Sequence, residues 1–204
     1  MLGLLLGIGG ARICPECADA DFSQHNCSWY RRSHHLPGID WCRAHRVPLL
    51  GVVASAPFNS APIYWRKQGK VTPLVSTSPY ELNQDAFVSR YMAVLLALLW
   101  RDRPLVDEDL NKHLAAVNDS RAGRNTSTSR SEDVLAYISR RAPIVWLQAN
   151  FQELFGSIPP VYERNVELVL SGRKQAMSAA HYGLLIAALV DSPDAAAAFV
   201  DSSE

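Results

Sequence analysis

Two short residue pairs constrain what the first part of this 204-residue chain can fold into: Cys14-Pro15-Glu16-Cys17 and, after 24 intervening residues, Cys42-Arg43-Ala44-His45. Each pair is a tight knuckle that can turn two ligand atoms toward one point, and the loop between them brings the halves together. Three thiolates and one imidazole would leave no open position, which describes one structural zinc ion rather than a catalytic one. Such an ion replaces the hydrophobic core that some 40 residues cannot build alone, at apparent binding energies on the order of 10–16 kcal/mol in zinc-finger peptides. Cys14, Cys17, Cys42 and His45 are therefore the expected metal ligands. Cys27, His25, His34 and His35 lie in the intervening loop and are second choices, with Cys27 expected as a free or buried thiol.

Other readings of the cysteines fit less well. A Cys-Pro-x-Cys pair alone can serve as a dithiol redox centre, but that chemistry calls for a βαβ setting and leaves Cys42 and His45 without a role. A zinc deaminase needs a His-x-Glu element, and none of the six histidines has Glu two residues on.

Between the knuckles, Trp29, Tyr30, Leu36, Ile39 and Trp41 are expected to form a small apolar cap. Arg31 and Arg32, with Arg66 and Lys67 further along, are candidate phosphate contacts; a merely solvated basic face is the plain alternative. Formal net charge is zero, which excludes binding of nucleic acid by bulk charge but not a local basic face. Residues 1–70 hold eight Lys/Arg against four Asp/Glu, and the rest of the chain twelve against sixteen.

Taken in order, Arg-x-Cys-Pro-x-Cys, Trp-Tyr-Arg-Arg-x-His-x-Leu-Pro-Gly and Cys-x-x-His-x-x-Pro-Leu resemble the zinc-binding segment of TniQ proteins, which include the TnsD target selectors of bacterial transposons. The match runs from about Arg12 to Leu50, and by resemblance Cys14, Cys17, Cys42 and His45 are the zinc ligands. The resemblance implies DNA or a guide-bearing complex as one partner, an AAA+ transposition regulator of the TnsC kind as another, and other TniQ or guide-complex subunits besides. A weaker likeness to the carboxy-terminal part of TnsD-like members touches Ser89-Arg90, Pro104-Leu105, Trp146 to Phe155 and Ala180-His181-Tyr182. Members usually have a substantial helical segment ahead of the zinc motif, whereas thirteen residues precede Cys14 here. A fragment, a late start or a degenerate copy is the expectation, and functions needing that segment do not carry over from the resemblance alone.

The remaining pattern is helical. Val47 to Val75 reads as short strands or an extended connector. Ser78-Pro79-Tyr80-Glu81 is a capping box with proline at the first helical position, opening a helix expected to run to Trp100 and end at Pro104. A second helix is expected from Asp107 with Leu110, Leu114 and Val117 inward, followed by a polar loop over Asn118 to Arg130. A third starts at Ser129 or Ser131 and stops at Pro143. The fourth turns Trp146, Leu147, Phe151, Leu154 and Phe155 inward and closes at Gly156. The fifth runs from Pro159-Pro160 to Gly172, and the sixth starts at Ser178 with Leu184, Leu185, Ala188 and Leu189 in the core. Asp191 to Glu204 reads as a fraying end. A helix-turn-helix in the last pair would have its connection at Gly172, but the helix from Ser178 offers few polar atoms to base edges. The fold class is mainly α, a zinc-finger-like module at residues 1–77 followed by a multi-helix domain at 78–204.

No nucleotide loop, nucleophile elbow or His-Glu-x-x-His pair is present. Asp107-Glu108-Asp109 suits the positive end of a helix better than a catalytic pair. No catalytic residue is assigned. The apolar start, Leu2 to Ile8, lacks a basic n-region, and Met92 to Trp100 is far below the roughly 20 residues of a membrane span. A cytoplasmic protein without a membrane partner, joining the nucleoid when bound to DNA, is expected. The sequence thus points to a non-catalytic, zinc-stabilised adaptor in transposon target-site selection. The alternatives are a zinc-containing interaction scaffold that never meets DNA and, less favoured, a dithiol oxidoreductase using Cys14 and Cys17.

Overall fold

The computed structural model describes residues 10–74, 79–102, 106–122, 130–154, 159–173 and 177–201. The chain divides into two compact units that meet between Gln84 and Asp85, seven residues beyond the boundary placed at residue 77 from sequence. The fold is mainly α, with one small sheet.

In the first unit, β1 (Arg12–Ile13), β2 (Leu50–Val52) and β3 (Val71–Pro73) form an antiparallel sheet in that order. Arg12 faces Gly51 and Ile13 faces Leu50, so pairing of two strands nearly forty residues apart draws the two knuckles toward each other. Helix α1 (Pro15–His25) starts at the first knuckle, where Cys14 is the N-cap and Pro15 sits in the first turn. It ends at Asn26, which takes the left-handed conformation (φ 53°) that asparagine tolerates. Ala11, Ile13, Val52 and Trp65 make one apolar cluster; Leu49 joins the cysteines in a second.

Tyr64-Trp65-Arg66-Lys67, expected within an extended connector, instead lies in α2 (Pro62–Lys67). The proline at its first position and the burial of Trp65, whose indole N–H donates to the Pro57 carbonyl at 2.7 Å, favour that turn of helix. Leu36, Ile39 and Trp41 are buried as expected, but Trp29 is 45% exposed. Its ring lies against His25 and beneath the Arg31 guanidinium.

The single helix expected from Ser78 to Trp100 is two helices, α3 (Pro79–Gln84) and α4 (Ala86–Trp100). Asp85 breaks it: extended at φ −66°, ψ 125°, its carboxylate accepts the N–H groups of Phe87 and Val88, both at 2.9 Å, as an N-cap. Ser78 and Pro104 lie outside the described residues.

The second unit continues with α5 (Asp107–Ala122), α6 (Arg130–Arg141), α7 (Ile144–Asn150), α8 (Pro159–Leu170), α9 (Ala179–Leu189) and α10 (Pro193–Asp201). Helix α5 runs past Asn118, where a polar loop was expected, and Asn118 is buried. Arg124 and most of that expected loop lie outside the described residues. Helix α7 stops at Asn150 and a 3-10 turn follows, so the fourth expected helix is cut short; Trp146, Leu147 and Phe151 are nonetheless buried. Phe155 and Gly156 lie outside the described residues. The end beyond Asp191 is a packed helix rather than a frayed one: Ala196, Phe199 and Val200 of α10 are buried, and α10 lies on α4.

Helix α9 is the centre of this unit, with Ala179 and every residue from Tyr182 to Leu189 buried. A helix enclosed on all sides cannot enter a DNA groove, which removes it as a recognition helix. Its start is capped by Ser178, whose Oγ accepts the His181 N–H at 3.3 Å and shares a hydrogen bond with the His181 ring Nδ1 at 2.8 Å. At its other end, the Ala187 carbonyl, among the last four without a partner in the helix, accepts Arg90 Nε of α4 at 2.8 Å. Arg101 does the same for the Val200 carbonyl near the end of α10. Helix α8 closes at Gly172 (φ 70°) with N–H bonds from Gly172 to Val169 and from Arg173 to Leu168, the paired 5→2 and 6→1 pattern of a glycine stop. The Arg173 carbonyl then accepts Asn111 of α5, whose amide oxygen takes the Tyr182 hydroxyl of α9.

Helices α4 and α9 approach closely because Gly183 has no side chain. A Cβ there would meet the Tyr91 ring at 2.9 and 3.1 Å, and that ring is itself packed edge-on against Trp146 and Phe151. Gly183→Ala should overpack the crossing and cost about 1–3 kcal/mol despite the better helix former. Thermal denaturation is expected to show a lowered Tm; an unchanged or raised Tm would contradict this packing.

Candidate metal centre

The first knuckle gains its shape from the start of α1. Cys14 Sγ accepts the Cys17 N–H at 3.4 Å, and both sulfurs sit at the positive end of the helix, which favours thiolates. The second knuckle is a backbone turn: Cys42 N–H donates to the Val47 carbonyl at 2.8 Å, and Arg46 N–H donates to the Cys42 carbonyl at 2.7 Å. Arg46 adopts the left-handed conformation, φ 58°, that completes the turn. A bridge between Trp41 and Pro48 flanks it.

These elements bring together the four donors expected from spacing. The sulfurs of Cys14, Cys17 and Cys42 and a ring nitrogen of His45 all lie within 4.8 Å of one another, the cysteines buried and the histidine half-buried. Cys14 and Cys17 are each 3.4 Å from His45 Nδ1, Cys42 is 3.6 Å from it, and Cys17 is 3.7 Å from Cys42. A tetrahedral zinc with ordinary bond lengths has edges of about 3.8 Å between sulfurs and about 3.5 Å between sulfur and nitrogen. The cluster has the size and donor set of a site for one zinc ion.

Its electrostatics suit a cation as well. A hydrogen bond from the Cys14 thiol lowers the Cys42 pKa to about 2 against the opposing effect of burial. The same bond, helped by burial, holds Cys14 in its protonated form. Burial, followed by the Cys42 charge, raises Cys17 to about 11. So many buried sulfurs cannot all ionise together without positive charge between them, and a divalent ion supplies it.

The second-choice ligands fall elsewhere. Cys27 is exposed, its thiol toward the Ser28 carbonyl, and His25 is exposed beside Trp29. His34 comes nearest, buried with Nε2 3.9 Å from Cys17 Sγ, at the edge of the cluster. His35 does backbone work: its Nε2 accepts the Arg12 N–H at 3.1 Å and its Nδ1–H donates to the Arg31 carbonyl at 3.1 Å.

Three of the four candidate phosphate contacts are turned onto α1. Arg31 pairs with Asp21 at 2.6 Å; Arg66 pairs with Asp19 at 2.5 Å and donates to the Pro15 carbonyl at 2.7 Å; Lys67 Nζ sits 4.0 Å from the centre of the Phe22 ring. Arg32 is exposed. The Asp21 side chain is only 5% exposed, so removing Arg31 would strand a carboxylate, at a cost on the order of a few kcal/mol, reduced because Arg31 itself is 39% exposed. The cations that sequence reasoning passed over are Arg43 and Arg46, exposed on the second knuckle. Their signal was position within and beside Cys-x-x-His, where a ligand frame holds the other side chains outward.

Residues 7–49 match the model of the TniQ family. The likeness to the TniQ family lies in this segment. The match takes in both knuckles, the loop between them and all four donors, and it covers 43 of the 204 residues. No curated protein and no solved structure matches the chain. The TniQ match suggests a transposition-related adaptor, and among the described residues no helix is long and apolar enough to cross a membrane.

Burial, assisted by the Arg12 and His34 charges and opposed by the Arg31 carbonyl, lowers the His35 pKa. The unfolded chain takes up this proton near pH ~6.5 while the folded one resists it, so the contribution to stability is full above that pH and lost below it. Thermal melts of zinc-saturated protein, with metal content followed in parallel, should show stability falling on acidification below pH ~6.5. His35→Gln, which keeps an acceptor for Arg12 but cannot gain a proton, should flatten that fall. Equal slopes for the two proteins would assign the decline to other groups.

Proposed function

We propose that this chain is a non-catalytic adaptor of transposition in which Cys14, Cys17, Cys42 and His45 hold one structural zinc ion. In this reading the TniQ segment helps direct target-site selection by linking target DNA, or a guide-bearing complex, to an AAA+ regulator of the TnsC kind. What supports it is that the family match spans the same residues whose donors converge with zinc-like spacing. The zinc supplies folding energy and a rigid frame; DNA attraction comes from the surplus of basic groups in this unit, and the acidic helical half is available to protein partners. The protein works in the cytoplasm, on the nucleoid when DNA is bound.

A second reading has an observation in its favour. Arg31, Arg66 and Lys67 are engaged within the unit, as they would be in a zinc-containing scaffold that never meets DNA. The two readings separate on a salt titration. Gel retention of a DNA duplex by the full chain should be present at low salt and fall steeply as salt rises, in proportion to the phosphates neutralised, and the purified regulator should co-elute with the chain. Regulator binding with no DNA retention at any salt would leave the scaffold; absence of both would overturn the adaptor reading.

A further inference from the structure

We infer that a phosphate contact of this protein is made by Arg43 and Arg46, on the outer edge of the second metal knuckle, and that Arg31, Arg66 and Lys67 are structural cations. This inference rests on the DNA-binding part of the proposed function and assigns that contact to particular residues.

Charge pairing inside the first unit carries the argument. Arg12 is buried and pairs with Asp40 at 2.9 Å, Arg31 with Asp21, and Arg66 with Asp19. Lys67 and Lys70 lie over the Phe22 and Trp65 rings. A guanidinium that reached from Asp21 to a phosphate would give up one anion for another and strand a buried carboxylate, and Arg66 would have to give up both Asp19 and the Pro15 carbonyl. Arg43 and Arg46 have no such commitment: both are exposed, and among the described residues neither forms an ion pair. They stand three residues apart on a backbone pinned from both sides. Cys42 and His45 belong to the donor cluster, and the N–H bonds of Cys42 and Arg46 close the turn. Between them Ala44 is exposed and small, so a strand backbone can approach without meeting a bulky side chain. Arginine also suits the role chemically, since its planar fork of donors matches phosphate oxygens.

The test is fluorescence anisotropy of a short labelled DNA duplex of arbitrary sequence titrated with full-length protein across a salt series. Arg43→Gln/Arg46→Gln should bind more weakly at low salt and show a log K against log salt slope smaller by about two, roughly one unit for each phosphate that is no longer neutralised. Zinc content should match wild type, and Arg43→Lys/Arg46→Lys should restore most of the slope. Wild-type slope in the glutamine variant would overturn the assignment while leaving DNA binding in place. Weakness in the lysine variant equal to that of the glutamine variant would overturn it also, since charge would not be the cause. Absence of any duplex binding by wild type would overturn this inference and the DNA-binding role together.

Discussion

The convergence of three thiols and an imidazole in the space of one ion governs the first unit. Strand pairing between Arg12–Ile13 and Leu50–Gly51 brings the knuckles near one another, yet a three-stranded sheet of two- and three-residue strands has little stability of its own. Among the described residues the apolar clusters beside the knuckles are small, so apolar side chains help only modestly there. The sulfurs themselves are a liability without a cation: the hydrogen bond with Cys42, helped by burial, holds Cys14 protonated, and burial with the Cys42 charge does the same for Cys17. A bound divalent ion would turn that cost into folding free energy and would fix the turn from which Arg43 and Arg46 project.

Arginine serves as a staple throughout the chain. Arg12, Arg31 and Arg66 each join separate segments of the first unit through a carboxylate, and Arg12 and Arg66 also donate to carbonyls. In the second unit Arg90 and Arg101 close helix ends by taking carbonyls that the helices cannot satisfy themselves. A basic residue in the sequence is therefore weak grounds for a nucleic-acid contact. What discriminates is whether a carboxylate or carbonyl of the same unit already claims it.

Much of the site was legible in the residues because ligand spacing is a local property. Two residues between ligands, twice, imply two knuckles whatever the rest does, and Ser178 and Gly172 announced helix ends by chemistry that needs only their neighbours. Less local features were not legible. Asp85 follows Asn83-Gln84 inside the span read as one helix from Ser78 to Trp100, and the extended backbone there reveals it as a cap. The alanine-rich end looked weak by itself and is held by burial against α4, a contact between residues about a hundred apart. The partners of Arg31 and Arg66 on α1 depend on a helix that the Cys-Pro-x-Cys reading treated only as a knuckle.

Metal stoichiometry tests the central claim most directly. Protein purified without added metal, measured by plasma emission, should carry one zinc per chain that Cys42→Ser and His45→Ala each abolish or greatly weaken. Metal-free protein with a readily reducible bond between Cys14 and Cys17, or zinc retained undiminished in both variants, would contradict it.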